Sequence, residues 1–212
     1  PGQKDKEEGT MNYTLLAGFI SFSLVSGFTP GPNNLIALAT GANFGYRRTL
    51  PHVLGVVLGF NILSFSIGAG LGSLFKAFPL AHEILKWGSL AYLMYLAWKI
   101  ATSTGIGPAD KSGEDAKPIS FFGSVAFQWI NVKAWVAAIT LVTAFTDPDA
   151  YWTSLAAGGT INIVIAFSSV STWAIFGTLL KRFLEHPVRL RVFNLTMAAL
   201  LVISVVPSVL KA

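Results

Sequence analysis

The chain has 212 residues, of which 53% are hydrophobic and 12% charged, and its net charge is +5. Soluble domains carry about 25% charged residues, so polar surface is too scarce to cover a water-soluble globule of this size; a cytosolic enzyme, a nucleic-acid module and a disordered chain are excluded. With no Cys, disulfides, thiolate metal sites and a cysteine nucleophile are excluded too, and the basic residues sit between apolar runs, as in the loops of a membrane protein.

Residues 1–10 are polar and mixed in charge, and are expected to be a disordered tail or upstream extension, with Met11 a more natural start. From there charge disappears in long stretches. No Asp, Glu, Lys or Arg occurs between Glu8 and Arg47, between Arg48 and Lys76, from Ala150 to Leu180 or from Val192 to Leu210, and only Lys133 occurs from Pro118 to Thr146. A helical span needs about 20 apolar residues. The spans expected on this basis are 13–44, 51–75, 83–101, 119–145, 151–179 and 190–209. The first is too long for one straight crossing and contains Thr29-Pro30-Gly31-Pro32, so it is expected to be broken there. A signal peptide is rejected, because the apolar run is too long and lacks a cleavage pattern. In the third span Lys86 and Lys99 are spaced to reach opposite interfaces, with Trp87, Tyr92, Tyr95 and Trp98 as an aromatic belt. Residues 102–118, rich in Gly, Pro and charge, read as a mobile cytoplasmic linker.

The fold class that follows is an all-α membrane protein of six transmembrane helices. Spans alternate sides, which places Arg47, Arg48, Lys99, Lys111, Lys117, Lys181, Arg182, Arg189 and Arg191 on one face and Lys4, Lys6, Lys76, Lys86 and Lys211 on the other. Nine against five makes the first face cytoplasmic and puts both termini outside. Three spans precede the linker and three follow it. A shift of 101 residues lays Pro30-Gly31-Pro32 over Asn131-Val132-Lys133 and Asn61 over Asn162. The chain is therefore read as two three-helix repeats, 11–101 and 119–212. An odd number of spans per repeat makes the second copy inverted, and inverted repeats hold substrate near the midplane beside broken helices.

Thr29-Pro30-Gly31-Pro32-Asn33-Asn34 is the sharpest local signal. Thr29 is expected to cap a new helix with Pro30 at its first position. The carbonyls near Val25 to Phe28 then lose their usual partners and attract an ammonium, while the free N–H groups of the second half-helix attract a carboxylate. A zwitterion such as an amino acid presents both groups; a proline kink for packing is the plainer reading. Lys133 is the one formal charge deep in a span, and a lysine at the helix centre costs about 2.5–3.5 kcal/mol on insertion scales. Its roles are carboxylate anchor, proton carrier or ligand of the broken helix's carbonyls, against simple snorkelling. Gln128 and Asn131 share a helical face near it, and Trp129 stands four residues before it, at cation–π spacing. Asn61 and Asn162 are mid-span amides, either interhelical glue or pore lining. The pairs Gly55/Gly59 and Gly68/Gly72 read as packing surfaces. His52, His82 and His186 fall near span ends and read as interface residues, not metal ligands. Asp147 and Asp149 read as turn residues. No Walker A motif or catalytic constellation is present, so no enzyme activity, cofactor or metal is expected.

The segment FTPGPNNLIALATGANFGYRRTLPHVLGVVLGF resembles the N-terminal signature of the lysine exporter (LysE/RhtB-type) family of bacterial amino-acid exporters, and AKPISFFGSVAFQWINVKAWV resembles its second-half signature. Within it, TPGPNN, YLAWKIATS and the NVK segment are most similar to the cysteine/O-acetylserine exporter branch. The family's signature positions fall on Pro30, Gly31, Pro32, Asn33, Asn131 and Lys133. The broad family has Asn-Pro-Lys in its second half; Val132 takes the proline's place here, which weakens the expectation of a second break. The resemblance implies export of small amino acids or their derivatives through the bacterial inner membrane, with protons as coupling ion and the lipid bilayer as surroundings. A homo-oligomer is compatible with it and a nucleic-acid partner is not. The competing readings are a lipid-handling, scramblase-like protein with the same broken helices, a membrane-embedded enzyme, and a scaffold subunit.

Overall fold

A computed structural model describes residues 4–71, 79–104 and 118–211 of the chain. These residues are mostly helical and contain no strand. The helices are α1 (Lys4–Phe28), α2 (Pro32–Phe44), α3 (Tyr46–Ser66), α4 (Pro79–Thr102), α5 (Phe121–Ile130), α6 (Val132–Phe145), α7 (Tyr151–Leu180) and α8 (Pro187–Lys211). Most of the expected linker, together with Gly72, Lys76, Lys111 and Lys117, lies outside the described residues. Helix α1 starts at Lys4, so residues 4–10 continue a helix where a disordered tail is expected. The run Lys4-Asp5-Lys6-Glu7-Glu8 is rich in lysine and glutamate, both good helix formers.

Two helices, Tyr46–Gly70 and Tyr151–Leu180, are each long and apolar enough to cross a membrane, and there are four such spans among the described residues if each of two bent pairs counts as one. The 30 residues of α7 reach about 45 Å at 1.5 Å per residue. The other two expected spans, 83–101 and 190–209, fall on α4 and α8. The outward faces are apolar: Leu54, Leu58, Ile62 and Phe65 follow one stripe of α3, while His52, Asn61, Gln128 and Asn162 are buried. Polar side chains inside and leucine outside is the arrangement suited to lipid as solvent.

The first bent pair turns by 51° between Phe28 and Pro32. Thr29 and Gly31 both precede a proline, which pushes both out of the helical region. The new helix therefore starts at Pro32 with Gly31 as an extended N-cap (φ −171°, ψ 173°), two residues later than the expected Thr29 cap. Thr29 instead donates its hydroxyl back to the Ser26 carbonyl at 2.9 Å. The second pair, α5 and α6, turns by 74° at Asn131. This break occurs without a proline. Asn131 leaves the helix at φ −92°, ψ 99° and caps α6, and the indole of Trp135 donates to the Trp129 carbonyl at 2.9 Å, replacing a backbone donor that the bend removes. Trp129 thus faces Trp135, with ring centroids 6.0 Å apart. The two breaks sit at positions that the 101-residue shift superposes.

Helices α2 and α3 meet at Gly45, whose φ of 80° favours glycine. Helix α3 then begins at Tyr46, five residues before the expected start, with Pro51 inside it. Packing is closest where glycines bring backbones together. A Cβ on Gly41 would strike the Ala174 carbonyl, and one on Gly177 would strike the Leu38 carbonyl, so α2 and α7 cross backbone to backbone. Gly55 and Gly59 seat α5 on α3 in the same way, against Phe121, Ser124 and Val125, as the GxxxG spacing suggests. At the other end of α7, Gly158 meets the ring of Phe19 and Gly159 the ring of Phe65. Helices α4 and α8 pair through Leu93, Leu96, Ile100 and Leu201, and dock on Leu35 and Val132 in the first turns after the two breaks. Val132 thus anchors its break as a buried apolar side chain. At the α6–α7 turn Asp149 N–H donates to Asp147 Oδ1 at 3.0 Å, an Asx turn.

A carbonyl of a neighbouring backbone cannot move aside as a side chain can. Gly41→Val and Gly177→Val are each expected to destabilise the fold by about 1–3 kcal/mol, seen as a lower melting temperature in detergent. Gly88→Ala, where nothing lies within 4 Å of an added Cβ, is the control expected to melt with the wild type.

Candidate functional site

The break after α1 frees backbone carbonyls, and buried carbonyls need donors. Every one from Val25 to Pro30 has one. Val25 accepts from the Thr29 N–H and Ser26 from the Thr29 hydroxyl. Gly27 accepts from Asn34 Nδ2 and from Ser169 Oγ, both at 2.7 Å. Phe28 accepts from the Trp173 indole at 3.3 Å. Lys133 crosses from α6 to donate to the carbonyls of Thr29 and Pro30 and to Thr29 Oγ1, all at 3.0 Å. Asn34 Nδ2 adds a bond to the Thr29 carbonyl at 2.9 Å. The ammonium that these carbonyls were expected to attract is therefore the chain's own. Of the roles open to Lys133, it fills that of ligand to the broken helix, and its three N–H groups are all used.

The donor side is different. The backbone N–H groups of Asn33 and Asn34 at the start of α2, and of Val132 and Lys133 at the start of α6, find no acceptor among the described residues. Both helix starts border one cavity of about 90 Å³. Ser23, Asn131 and Asn162 also line it. These three are at least nine-tenths buried, and Ser23 Oγ, Asn131 Oδ1 and Asn162 Nδ2 have no hydrogen-bond partner. Two helix N-termini supply positive potential, and the orphaned groups supply one acceptor, one donor and one hydroxyl that does either. Phe22, Phe60 and Leu141 form part of the apolar wall.

Of the residues expected to bind substrate, Gly31, Pro32, Asn33, Asn34, Asn131, Lys133 and Asn162 line this cavity. Thr29 and Pro30 stand behind that lining, held by Lys133 and, for Thr29, by Asn34 as well. Gln128 is fully buried behind it and pairs reciprocally with Asn33, Asn33 Nδ2 to Gln128 Oε1 at 2.8 Å and Gln128 Nε2 to Asn33 Oδ1 at 3.2 Å. Asn61 donates to the Val57 carbonyl at 2.9 Å and lines a second cavity, which shares Phe60, Leu141 and Asn162 with the first and runs toward Phe145, Thr146 and Ser154. Ser23 and Ser169, which also line the cavity, are not among the residues expected from sequence. Their signal is weak: a lone serine in an apolar helix bonds its own backbone as readily as anything else.

His52 is the clearest departure. Expected at an interface, it is fully buried. Its Nδ1 lies 2.8 Å from Ser124 Oγ and its Nε2 3.1 Å from the Asn33 carbonyl. The early start of α3 carries it a full turn deeper than the spacing implies. Among the described residues no group of three His, Asp or Glu side chains converges on a metal position.

A family model described as LysE type translocator matches residues 24–206. Cysteine/O-acetylserine efflux proteins of Escherichia coli strain K12 and of Shigella sonnei strain Ss046 are each 36% identical over 194 residues, which cover 91% of this chain and 96% of theirs. No solved structure matches.

A methyl group on Gly31 would meet Cδ and Nζ of Lys133 at 2.8 Å. Gly31→Ala is expected to lower the melting temperature in the wild-type background and to have little effect in a Lys133→Met background, where that contact is gone. A double-mutant cycle of melting curves reads the coupling; additive losses would disconnect the glycine from the lysine.

Proposed function

The chain belongs to the LysE-type translocator family, and from that membership we propose that it exports small neutral amino acids or their derivatives, of the cysteine and O-acetylserine kind, from the cytoplasm by proton antiport with alternating access. The family and the apolar helices make it a multi-pass membrane protein. We place it in the bacterial inner membrane with both termini outside, as six spans in two inverted halves.

One observation carries this reading: two helix starts and three buried, unpartnered polar groups surround a single small cavity. A carboxylate suits the N–H groups of α2 and α6, where helix dipoles favour negative charge. The Lys133 ammonium adds to that field from the cavity wall while remaining tied to Thr29 and Pro30. The ammonium of the substrate suits Asn131 Oδ1 and Ser23 Oγ, and Asn162 Nδ2 is left to donate to a polar side group. Each of these groups costs free energy while unpaired in the interior, so a zwitterion that pairs them is favoured over an apolar guest. The apolar remainder of the wall admits a short side chain. The second cavity, which shares Asn162, continues toward the α6–α7 turn and gives the substrate a way out on the side assigned to the exterior. No bond in the substrate has to be made or broken.

Counterflow into proteoliposomes, measured for a panel of cysteine, O-acetylserine, serine, alanine and lysine, with and without a pH gradient, tests the proposal. Exchange of the small neutral members is expected; no exchange with any of them would overturn it. Asn162→Leu and Ser23→Ala each remove a buried group that bonds nothing, so their melting temperatures are expected to hold or rise while counterflow falls about tenfold or more, a loss of about 1.4 kcal/mol of transition-state stabilisation. Full transport in both variants would move the substrate elsewhere.

A further inference from the structure

We propose that His52 is the site that holds the coupling proton of this transporter, with Ser124 as the hydroxyl that reports it and Asn33 as the residue through which it is felt at the cavity. This rests on the transport reading above.

The hydrogen-bond count carries the inference. His52 Nε2 faces the Asn33 carbonyl at 3.1 Å; a carbonyl only accepts, so Nε2 carries hydrogen. Nδ1 faces Ser124 Oγ at 2.8 Å. The same Oγ lies 2.9 Å from the Ser120 carbonyl. Ser124 has one hydroxyl hydrogen and two places for it. In the neutral ring it donates to Nδ1, and its bond to the Ser120 carbonyl is given up. When a proton joins the Nδ1 lone pair, Nδ1–H donates to Ser124 Oγ, the hydroxyl turns to the Ser120 carbonyl, and all three bonds form together. One proton is thus taken in by rotating one hydroxyl, with no heavy atom displaced. Both side chains are fully buried, while Ser120, which caps α5, is exposed. The chain His52, Ser124 and the Ser120 carbonyl leads from the first turn of α2 to the surface at the start of α5, the side assigned to the cytoplasm, where an antiporter that exports its substrate releases the proton.

The competing ionisable groups are few. Among the described residues, the helices packed most extensively against α3 are α2, α5, α6 and α7. Helices α2 and α5 have no ionisable side chain, α6 has Lys133 and α7 has Tyr151. Lys133 spends its three N–H groups on Thr29 and Pro30, and Tyr151 donates to the Gly68 carbonyl at 2.9 Å. On α3 itself Tyr46 pairs with Ser171 at 3.0 Å, and Arg47 and Arg48 belong to its first turn. No carboxylate occurs on any of these five helices. Proton and substrate then meet at Asn33, whose carbonyl holds the ring, whose amide holds Gln128, and which lines the cavity. Whatever the proton does to substrate affinity, substrate does equally to the proton.

Glutamine at position 52 can donate to Asn33 and accept from Ser124 as the neutral ring does, but it binds no proton. In proteoliposomes His52→Gln is expected to keep cysteine counterflow at equal pH within about twofold, and to lose at least about tenfold of the transport driven by an imposed pH gradient, together with the accompanying proton movement read by an internal pH dye. Ser124→Ala is expected to keep counterflow and shift the pH profile of gradient-driven transport, which provides the test should the glutamine variant fail to fold. Gradient-driven transport retained by His52→Gln, or an unshifted profile in Ser124→Ala, overturns this proposal alone. A wild-type protein without counterflow overturns the transport reading and this proposal with it.

Discussion

A helix interrupted among apolar neighbours frees backbone groups that water cannot reach, and the chain must meet them itself. Everything at the centre of this molecule follows from how unevenly it does so. The carbonyls freed before Pro32 are met by Asn34, Ser169, Trp173 and Lys133, drawn from three helices. The carbonyl freed before Asn131 is met by Trp135. The N–H groups after each break are left open. Closing one set and opening the other gives the cavity its polarity, donor-rich and positive, before any charged side chain is counted. Lys133 accordingly serves as a fixed part of the backbone's hydrogen-bonding scheme, and the side-chain groups left unpartnered at the cavity are the neutral ones beside it.

Around that centre the packing is graded. Helix α2 meets α7, and α5 meets α3, across glycines that bring main chains into contact. Toward the α6–α7 turn, Phe19, Phe65 and Phe145 fill the space against Gly158, Gly159 and Gly18. Aromatic rings turn on their own bonds, whereas carbonyls held at glycine distance separate only when whole helices move. The second cavity lies at the phenylalanine end.

Much of this was readable from residue order. Two prolines flanking a glycine can only break a helix, so the first bend was fixed by Pro30 and Pro32. A single lysine in an apolar run must find acceptors, and the nearest supply was that bend. Gly55 and Gly59 at GxxxG spacing marked a packing surface, which α5 occupies. What stayed hidden depended on residues remote in sequence. The bend at Asn131 has no proline to mark it; it is made tolerable by Trp135 and by Val132 docking on α4 and α8, and neither partner advertises the fact. His52, beside Pro51 and shortly after Arg47-Arg48, looked like the end of a span. It became buried because the helix starts at Tyr46 and because Ser124 and Asn33 arrive to meet its two nitrogens. Ser23 differs from Ser21 only in the face it presents, and a composition cannot say which face is inward.

The reach of Lys133 from α6 to Thr29 and Pro30 has a mechanical side. One ammonium fastens the two halves of the chain at their weakest points, like a shear pin through two hinges. Neither hinge can swing alone without stripping three short bonds at once. The two bends are thereby joined as one piece, to which α3 and α7 are themselves held across their glycines.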